Sequence, residues 1–432
     1  METRARQQIT EGVIWKQLLI FFFPILMGTF FQQMYNTVDT IIVGRLVGTE
    51  ALAAVGATGP LVSMVNGFFI GVSSGATVVL SQAYGAGDRK GVSDSIHTGV
   101  ALSLLLGVML TAIGICLGGR VMGWMGTPEN CMADATTYLR IYFAGSIGTV
   151  VYNMGAGILR AMGDSKRPML FLMVTCILNV VLDLLFVAVL HMGVAGAALA
   201  TVLSQMISAV LPIVVLLRQK EDRLELRKLR IERSLLGRIL RIGIPAGLQF
   251  VTFDFSNVLI QSGINSFGDI TMAAWTSYGK TDALVWMISG AFGVSITTFV
   301  GQNYGANQVK RCRKVLGLCI LEDAIATASA IFIILFAGKA VLALFNPDPQ
   351  VIDIGYTRLL IVFTAYTFSM LYDAMSGYLR GFGISLVPAL LVIFGVCGVR
   401  ILWILFVFPT SRTFATTDWK CCKRILKYLL ET

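Results

Sequence analysis

Long apolar stretches alternate with short polar segments along almost the whole chain. A helix advances about 1.5 Å per residue, so about 20 apolar residues are needed to cross the hydrocarbon core of a bilayer. Each stretch reaches that length because few charged residues interrupt it. The pattern predicts eleven membrane-spanning helices, at residues 17–43, 52–80, 95–118, 135–158, 168–190, 194–217, 240–263, 272–300, 315–338, 352–377 and 386–409.

The composition agrees with a multi-pass membrane protein. Of the 432 residues, 56% are hydrophobic and 13% are charged, whereas a soluble domain carries about 25% charged residues. The net charge of +10 does not indicate nucleic-acid binding, because many basic residues lie together between the sixth and seventh stretches. Such a cluster is typical of a cytoplasmic loop near anionic lipid headgroups, and the same rule predicts a cytoplasmic N-terminus.

The two halves of the chain repeat each other. SQAYGA at 81–86 returns as GQNYGA at 301–306, 220 residues later. At the same offset, YNMGAGILRAMGDSKRP at 152–168 returns as YDAMSGYLRGFGISLVP at 372–388. Six predicted helices separate equivalent positions. Because six is even, both halves enter the membrane in the same orientation, which makes this a parallel repeat.

The repeat predicts an all-α polytopic membrane protein with two parallel-repeat six-helix bundles. Two such bundles usually enclose a cavity that opens alternately to either side, which suits a carrier better than a channel or an enzyme. The predicted parts are an N-lobe at 1–217 with helices 1–6, a basic cytoplasmic linker at 218–239, a C-lobe at 240–409 with helices 7–11, and an atypical basic tail at 410–432.

The last helix of the second bundle is missing from this pattern. The repeat offset places a twelfth span near 414–437, but the tail at 410–432 carries charges throughout and does not resemble 194–217. One interpretation is a short basic amphipathic helix on the membrane surface. The other, which we favour, is that the sequence is truncated or frameshifted there.

Polar residues inside the first helix indicate an ion site. Gln32, Tyr35, Asn36 and Asp39 are three and four residues apart, so they share one helix face. A carboxylate inside a membrane helix costs about 2.5–3.5 kcal/mol on insertion scales, so it usually faces protein or a wet cavity. The functional interpretation is a proton or cation site; the alternative is an interfacial cap or a buried hydrogen bond. Pro24 removes a backbone hydrogen bond and is a candidate hinge.

A second carboxylate in the N-lobe has polar neighbours. Asn179 and Asp183 are four residues apart and face the same way. Thr201 and Asn153 lie in the sixth and fourth predicted helices. Asp39 and Asp183 together could hold one Na⁺ through oxygen ligands, or could share protons. The same residues serve either ion. The candidates in the C-lobe are Asp254, Lys280, Asp282 and Asp373.

These features together resemble the multidrug and toxic compound extrusion (MATE) family over residues 10–410. The resemblance rests on the repeated QxYGA and YxxxxGxLR motifs, on NTVD in the first helix and on NVVLD in the fifth. It implies two six-helix bundles in a V shape. Its DinF-like branch, which we favour, implies a cation site at Asp39, Asn179, Asp183 and Thr201, pocket positions at Tyr35 and Asn153, and a bend in the first helix at Pro24.

The other, NorM-like branch has acidic residues in the seventh and tenth helices. Asp254 and Asp373 lie on those helices here, but Ser369 stands where the acid of the tenth helix is expected relative to SGYLRG. That departure favours the site in the N-lobe.

The resemblance implies a multidrug efflux antiporter in a bacterial plasma membrane, which exports drugs or organic cations in exchange for H⁺ or Na⁺. It implies no cofactor, and we expect a monomer. One alternative is a lipid-linked-sugar flippase of the same superfamily. That protein would need a cationic cavity, whereas Lys280 and Arg400 are the only evident bases within the predicted spans. Another is an inactive, truncated remnant. An enzyme is not expected, because no nucleophile–base set or metal-ligand cluster is evident.

Overall fold

The computed structural model describes residues 9–402 and 406, without 126, 128 and 266, and this part is almost entirely helical, with no strand. The helices are α1 (Ile14–Ile42), α2 (Thr49–Gly85), α3 (Arg89–Trp124), α4 (Glu129–Ala144), α5 (Ser146–Ala161), α6 (Lys166–Asp183), α7 (Gly193–Arg218), α8 (Arg233–Asn265), α9 (Asp269–Gly305), α10 (Val309–Phe345), α11 (Pro349–Gly381), α12 (Leu386–Leu390) and α13 (Val399–Leu402). π-helical segments follow α1, α6 and α12, at Val43–Val47, Leu184–Val189 and Leu391–Gly398.

The predicted apolar stretches fall on this helical structure, and one of them is divided. The stretch 135–158 forms two helices, α4 and α5, which meet at Gly145. A side chain at Gly145 would overlap Val202 of α7, so glycine permits close packing at this junction. The predicted twelfth span and the tail at 410–432 lie outside the described residues.

The sequence predicts eleven spans, but fewer helices in the structure are both long enough and apolar enough to cross a membrane. Eight in the described part are long and apolar enough by length and composition. The other three predicted spans are α4 with α5, α8, and Leu386–Leu402. α4 and α5 have only 16 residues each, and the first turns of α8 are rich in arginine. Leu386–Leu402 is an apolar but shorter helical segment.

The helices form two lobes, α1–α7 and α8–α13, which are joined in one half of their length. We call the end of the molecule that holds the start of α1 and the connection between α7 and α8 the linker end, and the opposite end the far end. In the linker half, Leu18 and Phe22 of α1 share a buried cluster with Phe292 and Phe299 of α9. Phe22 and Phe292 stack with ring centroids 3.9 Å apart.

The far half has a different arrangement of buried clusters. One cluster contains residues of the N-lobe alone, such as Ala54 and Val187, and another contains residues of the C-lobe alone, such as Val285 and Phe363. Among the described residues, the lobes therefore share apolar cores in the linker half and have separate cores in the far half. This arrangement is the V shape that the sequence resemblance implied.

Glycines allow the two lobes to approach each other closely. α2 and α8 form the most extensive contact between the lobes, and Gly71 of α2 lies against the backbone of Gly247 on α8. A Cβ at Gly71 would overlap that backbone. Small residues commonly permit such close crossings between membrane helices, because dispersion contacts rather than hydrophobic burial hold them together.

The connection between the lobes, residues 219–232, is attached to the start of α3. The ring of His97 accepts a hydrogen bond at Nε2 from the backbone N–H of Glu225 (3.0 Å) and donates from Nδ1 to Ser93 O (2.7 Å). Arg230 forms an ion pair with Asp94 at 2.9 Å. α8 begins at Arg233, so the last residues of the predicted linker 218–239 belong to a helix.

Candidate functional site

Adjacent helices of the N-lobe position the four residues predicted to form the ion site. Asp39 lies on α1, Asn179 and Asp183 lie one turn apart on α6, and Thr201 lies on α7. α6 packs against both α1 and α7. The carboxyl groups of Asp39 and Asp183 are close enough for their charges to interact, although 144 residues separate them in the chain.

These four side chains are buried, and they leave polar atoms without hydrogen-bond partners. Asn179 and Asp183 have no exposed surface, Thr201 is 5% exposed and Asp39 is 6% exposed. The atoms of these four residues that have no partner among the described residues are Asp39 Oδ1, both carboxylate oxygens of Asp183, both amide atoms of Asn179 and Thr201 Oγ1. A buried polar group without a partner costs about 1–3 kcal/mol, so six such atoms on four side chains of adjacent helices require an explanation.

The donor set fits a coupling ion. Carboxylate, amide and hydroxyl oxygens are ligands that hard cations prefer. Two neighbouring carboxylates also repel each other when both are charged, and either a bound cation or a shared proton relieves that repulsion. The arrangement therefore supports Na⁺ or H⁺ binding.

Both carboxylates lie just before a change in helix winding. The π-helical segment Val43–Val47 begins four residues after Asp39, and the segment Leu184–Val189 begins directly after Asp183. π-helical turns are rare and often occur at functional sites, because the wider turn changes the direction of neighbouring groups. The backbone around both acids thus departs from regular α-helix on the same side, toward the far end.

The remaining N-lobe candidates lie in different environments. Tyr35 is buried, whereas Gln32 and Asn36 are exposed, so the polar stripe of the first helix has a buried and an exposed part. Asn153 is half-buried on α5. Pro24 is buried within α1, which continues through it as one α-helix.

The sequence analysis did not identify several polar residues of this region. Tyr138 of α4 lies close enough to Asp39 and Asp183 to interact with their charges. One turn later, the hydroxyl of Tyr142 and the side-chain amide of Asn66 are 3.0 Å apart. The spacing of Tyr138 and Tyr142 in the sequence could have identified them, because residues four apart in a helix face the same way.

The acidic candidates of the C-lobe have different hydrogen-bond partners. Asp282 Oδ1 accepts hydrogen bonds from Tyr278 (2.9 Å) and Tyr366 (2.7 Å). Asp373 lies close enough to Asp323 of α10 and to Tyr366 for their charges to interact. Asp323 has no exposed surface and accepts a hydrogen bond from Thr327 at 2.9 Å.

The other two candidates in the C-lobe differ in burial. Asp254 of α8 is half-buried beside Gly67 of α2, and Lys280 is exposed.

The repeat shows which C-lobe residues stand at the positions of the predicted N-lobe site. Ile260 corresponds to Asp39 at an offset of 221, and Val399 corresponds to Asn179 at an offset of 220. The C-lobe therefore carries apolar residues at these two positions of the N-lobe site.

The prediction that Lys280 and Arg400 are the only bases within the spans is wrong. Arg358 lies on α11 within the apolar stretch 352–377 and is half-buried. It was missed because the surrounding stretch is apolar enough to be predicted as a span despite the charge.

Comparison with known proteins identifies the family. The MatE family model matches the chain twice, over residues 24–185 and 245–406. Each match covers most of one lobe. The two halves that repeat each other in the sequence are therefore two copies of the same family domain.

Curated and solved proteins agree with this match. The chain is 31% identical over 378 residues to the probable multidrug resistance protein YpnP of Bacillus subtilis (strain 168), covering 87% of this chain and 84% of that protein. It is similar to a crystal structure of a MATE protein in the bent conformation, with a TM-score of 0.85, 26% identity, and coverage of 93% of this chain and 90% of that one. An outward-facing multidrug resistance MATE transporter of the MOP superfamily gives a TM-score of 0.84 at 25% identity, covering 93% and 91%.

Proposed function

The chain belongs to the MatE family of membrane transporters, and we propose that it is a secondary active antiporter that exports drugs, including organic cations and other amphiphiles, in exchange for H⁺ or Na⁺. The observation that carries the proposal is the set of buried, unpaired polar atoms at Asp39, Asn179, Asp183 and Thr201. The multidrug resistance names of its relatives support the class of substrate.

The arrangement of the lobes supports alternating access. If the basic linker is cytoplasmic, as the positive-inside rule predicts, the joined half of the molecule lies on the cytoplasmic side. The separate far halves then face the outside. Opening toward the cytoplasm requires the contacts between α1 and α9 and between α2 and α8 to separate while the far halves come together.

The ion acts on this equilibrium through α1 and α6. Neutralising the carboxylates of Asp39 and Asp183 removes their mutual repulsion and allows the two helices to pack more closely. The π-helical segments after both acids and Pro24 within α1 are the places where these helices can change direction. Exchange requires that ion and drug favour different states, since a ligand with equal affinity for both shifts nothing.

Drug efflux from cells expressing the chain tests the proposal. Asp39→Asn and Asp183→Asn should each abolish efflux, and collapsing the proton and sodium gradients separately should show dependence on one of them. Asp353→Asn is a matched control, because Asp353 is an exposed acid paired with Lys339. Efflux that survives both substitutions would contradict the site and direct the search to Asp254, Asp282 and Asp373.

A further inference from the structure

The far half of the C-lobe contains two arginines that the proposed ion exchange does not use. Arg358 lies nine residues after the start of α11, which places it about 14 Å along the helix. Arg400 lies on α13, at the end of the apolar segment Leu386–Leu402. Charged residues at membrane depth are expensive and usually mark a functional site.

Arg358 is in direct contact with aromatic rings. Its guanidinium carbon lies over the rings of Trp275 and Tyr278 of α9, 3.8 Å from the centroid of the Tyr278 ring. Its Nη1 atom is buried and has no hydrogen-bond partner among the described residues. No carboxylate whose side chain the structure describes lies within 4.0 Å of it. Stacking orients the guanidinium, and the N–H groups of Nη1 stay available to bind an anion.

Arg400 faces the same region. Its guanidinium lies 5.0 Å from the centroid of the Phe253 ring, and its Nη1 donates to Asn257 Oδ1 at 3.1 Å. Both arginines lie close enough to each other and to Asp282 for their charges to interact. Asp282 is the one carboxylate among these three charges, and two tyrosine hydroxyls already donate to it. The cluster therefore keeps an excess of positive charge.

Flat aromatic surfaces lie beside these charges. Phe253, which contacts Arg400, is stacked on Trp286 with ring centroids 5.6 Å apart. Trp286 is 39% exposed and Trp275 is half-buried, so both indoles have accessible surface. Aromatic rings pack favourably against other aromatic rings in offset or edge-to-face arrangements.

We propose that Arg358 and Arg400, with Trp275 and the Phe253–Trp286 stack, form a substrate subsite for a carboxylate or phosphate group carried on an aromatic ring. The assignment rests on the proposed transport function and names a class of substrate for it. The arginines bind the anionic group by charge-assisted hydrogen bonds, and the rings hold the aromatic body. Because the carboxylates of the ion site are in the other lobe, this anionic group does not compete with the coupling cation for ligands.

A matched pair of fluorescent probes tests the subsite. One is a rhodamine whose phenyl ring carries a free carboxylate, and the other is its methyl ester, which has the same aromatic body without the anion. Binding to the purified full chain in phosphatidylcholine nanodiscs is measured by fluorescence anisotropy. The parent chain should bind the free acid about tenfold more tightly than the ester, the effect of one charge-assisted hydrogen bond.

Substitutions assign the effect to the arginines. Arg358→Gln should weaken binding of the free acid about tenfold and leave the ester almost unchanged. Arg358→Lys should restore part of the loss, because it returns the charge without the planar guanidinium. Arg120→Gln is the matched control, since Arg120 is an exposed arginine near the far end of α3. The thermal unfolding midpoint of each variant establishes that it is folded.

Several results would overturn the proposal. A parent chain that binds both probes equally contradicts an anion subsite. An equal loss for both probes in Arg358→Gln means that this arginine only supports the aromatic packing. If the free acid no longer binds more tightly than the ester once phosphatidylglycerol is added to the nanodiscs, a lipid headgroup is the anion that this subsite binds. The assay needs no ion gradient, so failure of efflux in Asp39→Asn with normal probe binding separates the ion site from this subsite.

Discussion

The N-lobe and the C-lobe share a scaffold but carry chemically different side chains at equivalent positions. Tyr152 donates a hydrogen bond to Pro168 O at 3.3 Å, and its counterpart Tyr372 donates to Pro388 O at 3.4 Å. In contrast, Tyr138 near the N-lobe carboxylates corresponds, 220 residues later, to Arg358. Contacts that fix the helix ends were kept after duplication, whereas the side chains available for ligands diverged.

The joined ends of the lobes retain two-fold symmetry. Gln82 of the first QxYGA motif donates to Gly381 O of the C-lobe at 2.9 Å. Gln302 of the second motif donates to Ala161 O of the N-lobe at 2.7 Å. Each motif therefore reaches across to the opposite lobe, which explains why both copies kept the glutamine.

The largest effect is expected where the lobes cross. Gly71→Val places a side chain into the backbone of α8, and we expect a loss of about 3 kcal/mol or more in the free energy of unfolding. The thermal unfolding midpoint of the purified protein measures it. Gly59→Val on the same helix is the control, because no atom lies within 4 Å of the position of its Cβ. Equal midpoints for the two variants would contradict the close crossing of α2 and α8.

A smaller effect is expected from the crossed glutamines. Gln302→Ala removes one hydrogen bond between the lobes, worth about 1 kcal/mol, which corresponds to about a fivefold shift toward a state in which the linker end is open. Gln82→Ala removes two, because its side chain donates to Gly381 O and accepts from Arg238, so its shift should be at least as large. Distances between spin labels on the two lobes at the far end measure this equilibrium. Exposed Gln350→Ala is the control. If only one of the two substitutions changes the distances, the symmetric role of the motifs is wrong.

The smallest loss of stability is expected at the proposed ion site. Thr201 Oγ1 has no partner among the described residues, so Thr201→Val should leave the free energy of unfolding unchanged or raise it, because an unpaired buried hydroxyl is removed. It should nevertheless weaken Na⁺ or H⁺ coupling severalfold by removing an oxygen ligand. Thr297 of the C-lobe donates to Gly377 O of α11 at 3.1 Å. Thr297→Val should therefore cost about 1 kcal/mol of stability and leave coupling intact.

Thermal midpoints and the ion dependence of transport separate these two threonines. A large stability loss in Thr201→Val would mean that the hydroxyl has a structural partner, which would weaken the case for an ion ligand. If Thr297→Val changes the dependence of transport on Na⁺ or H⁺, the proposal that only the N-lobe binds the coupling ion is wrong.

The sequence by itself determined the helices, the duplication and the family. These depend on local and repeated patterns: the length of an apolar run sets a span, and the 220-residue offset aligns the halves. The spacing of Asn179 and Asp183 likewise required only helical periodicity. Arg358 shows the limit of this reasoning, because one charge inside an apolar run says nothing about which surface it faces.

Only the tertiary structure decided which residues meet. The proximity of Asp39 and Asp183, the stacking of Arg358 on two α9 rings, and the bond from Gln302 to Ala161 O each join distant segments. The structure also decided that the lobes join in the linker half and have separate cores in the far half. The physical reason is that periodicity fixes the face of a residue on its own helix, whereas the packing of complete helices fixes which faces touch.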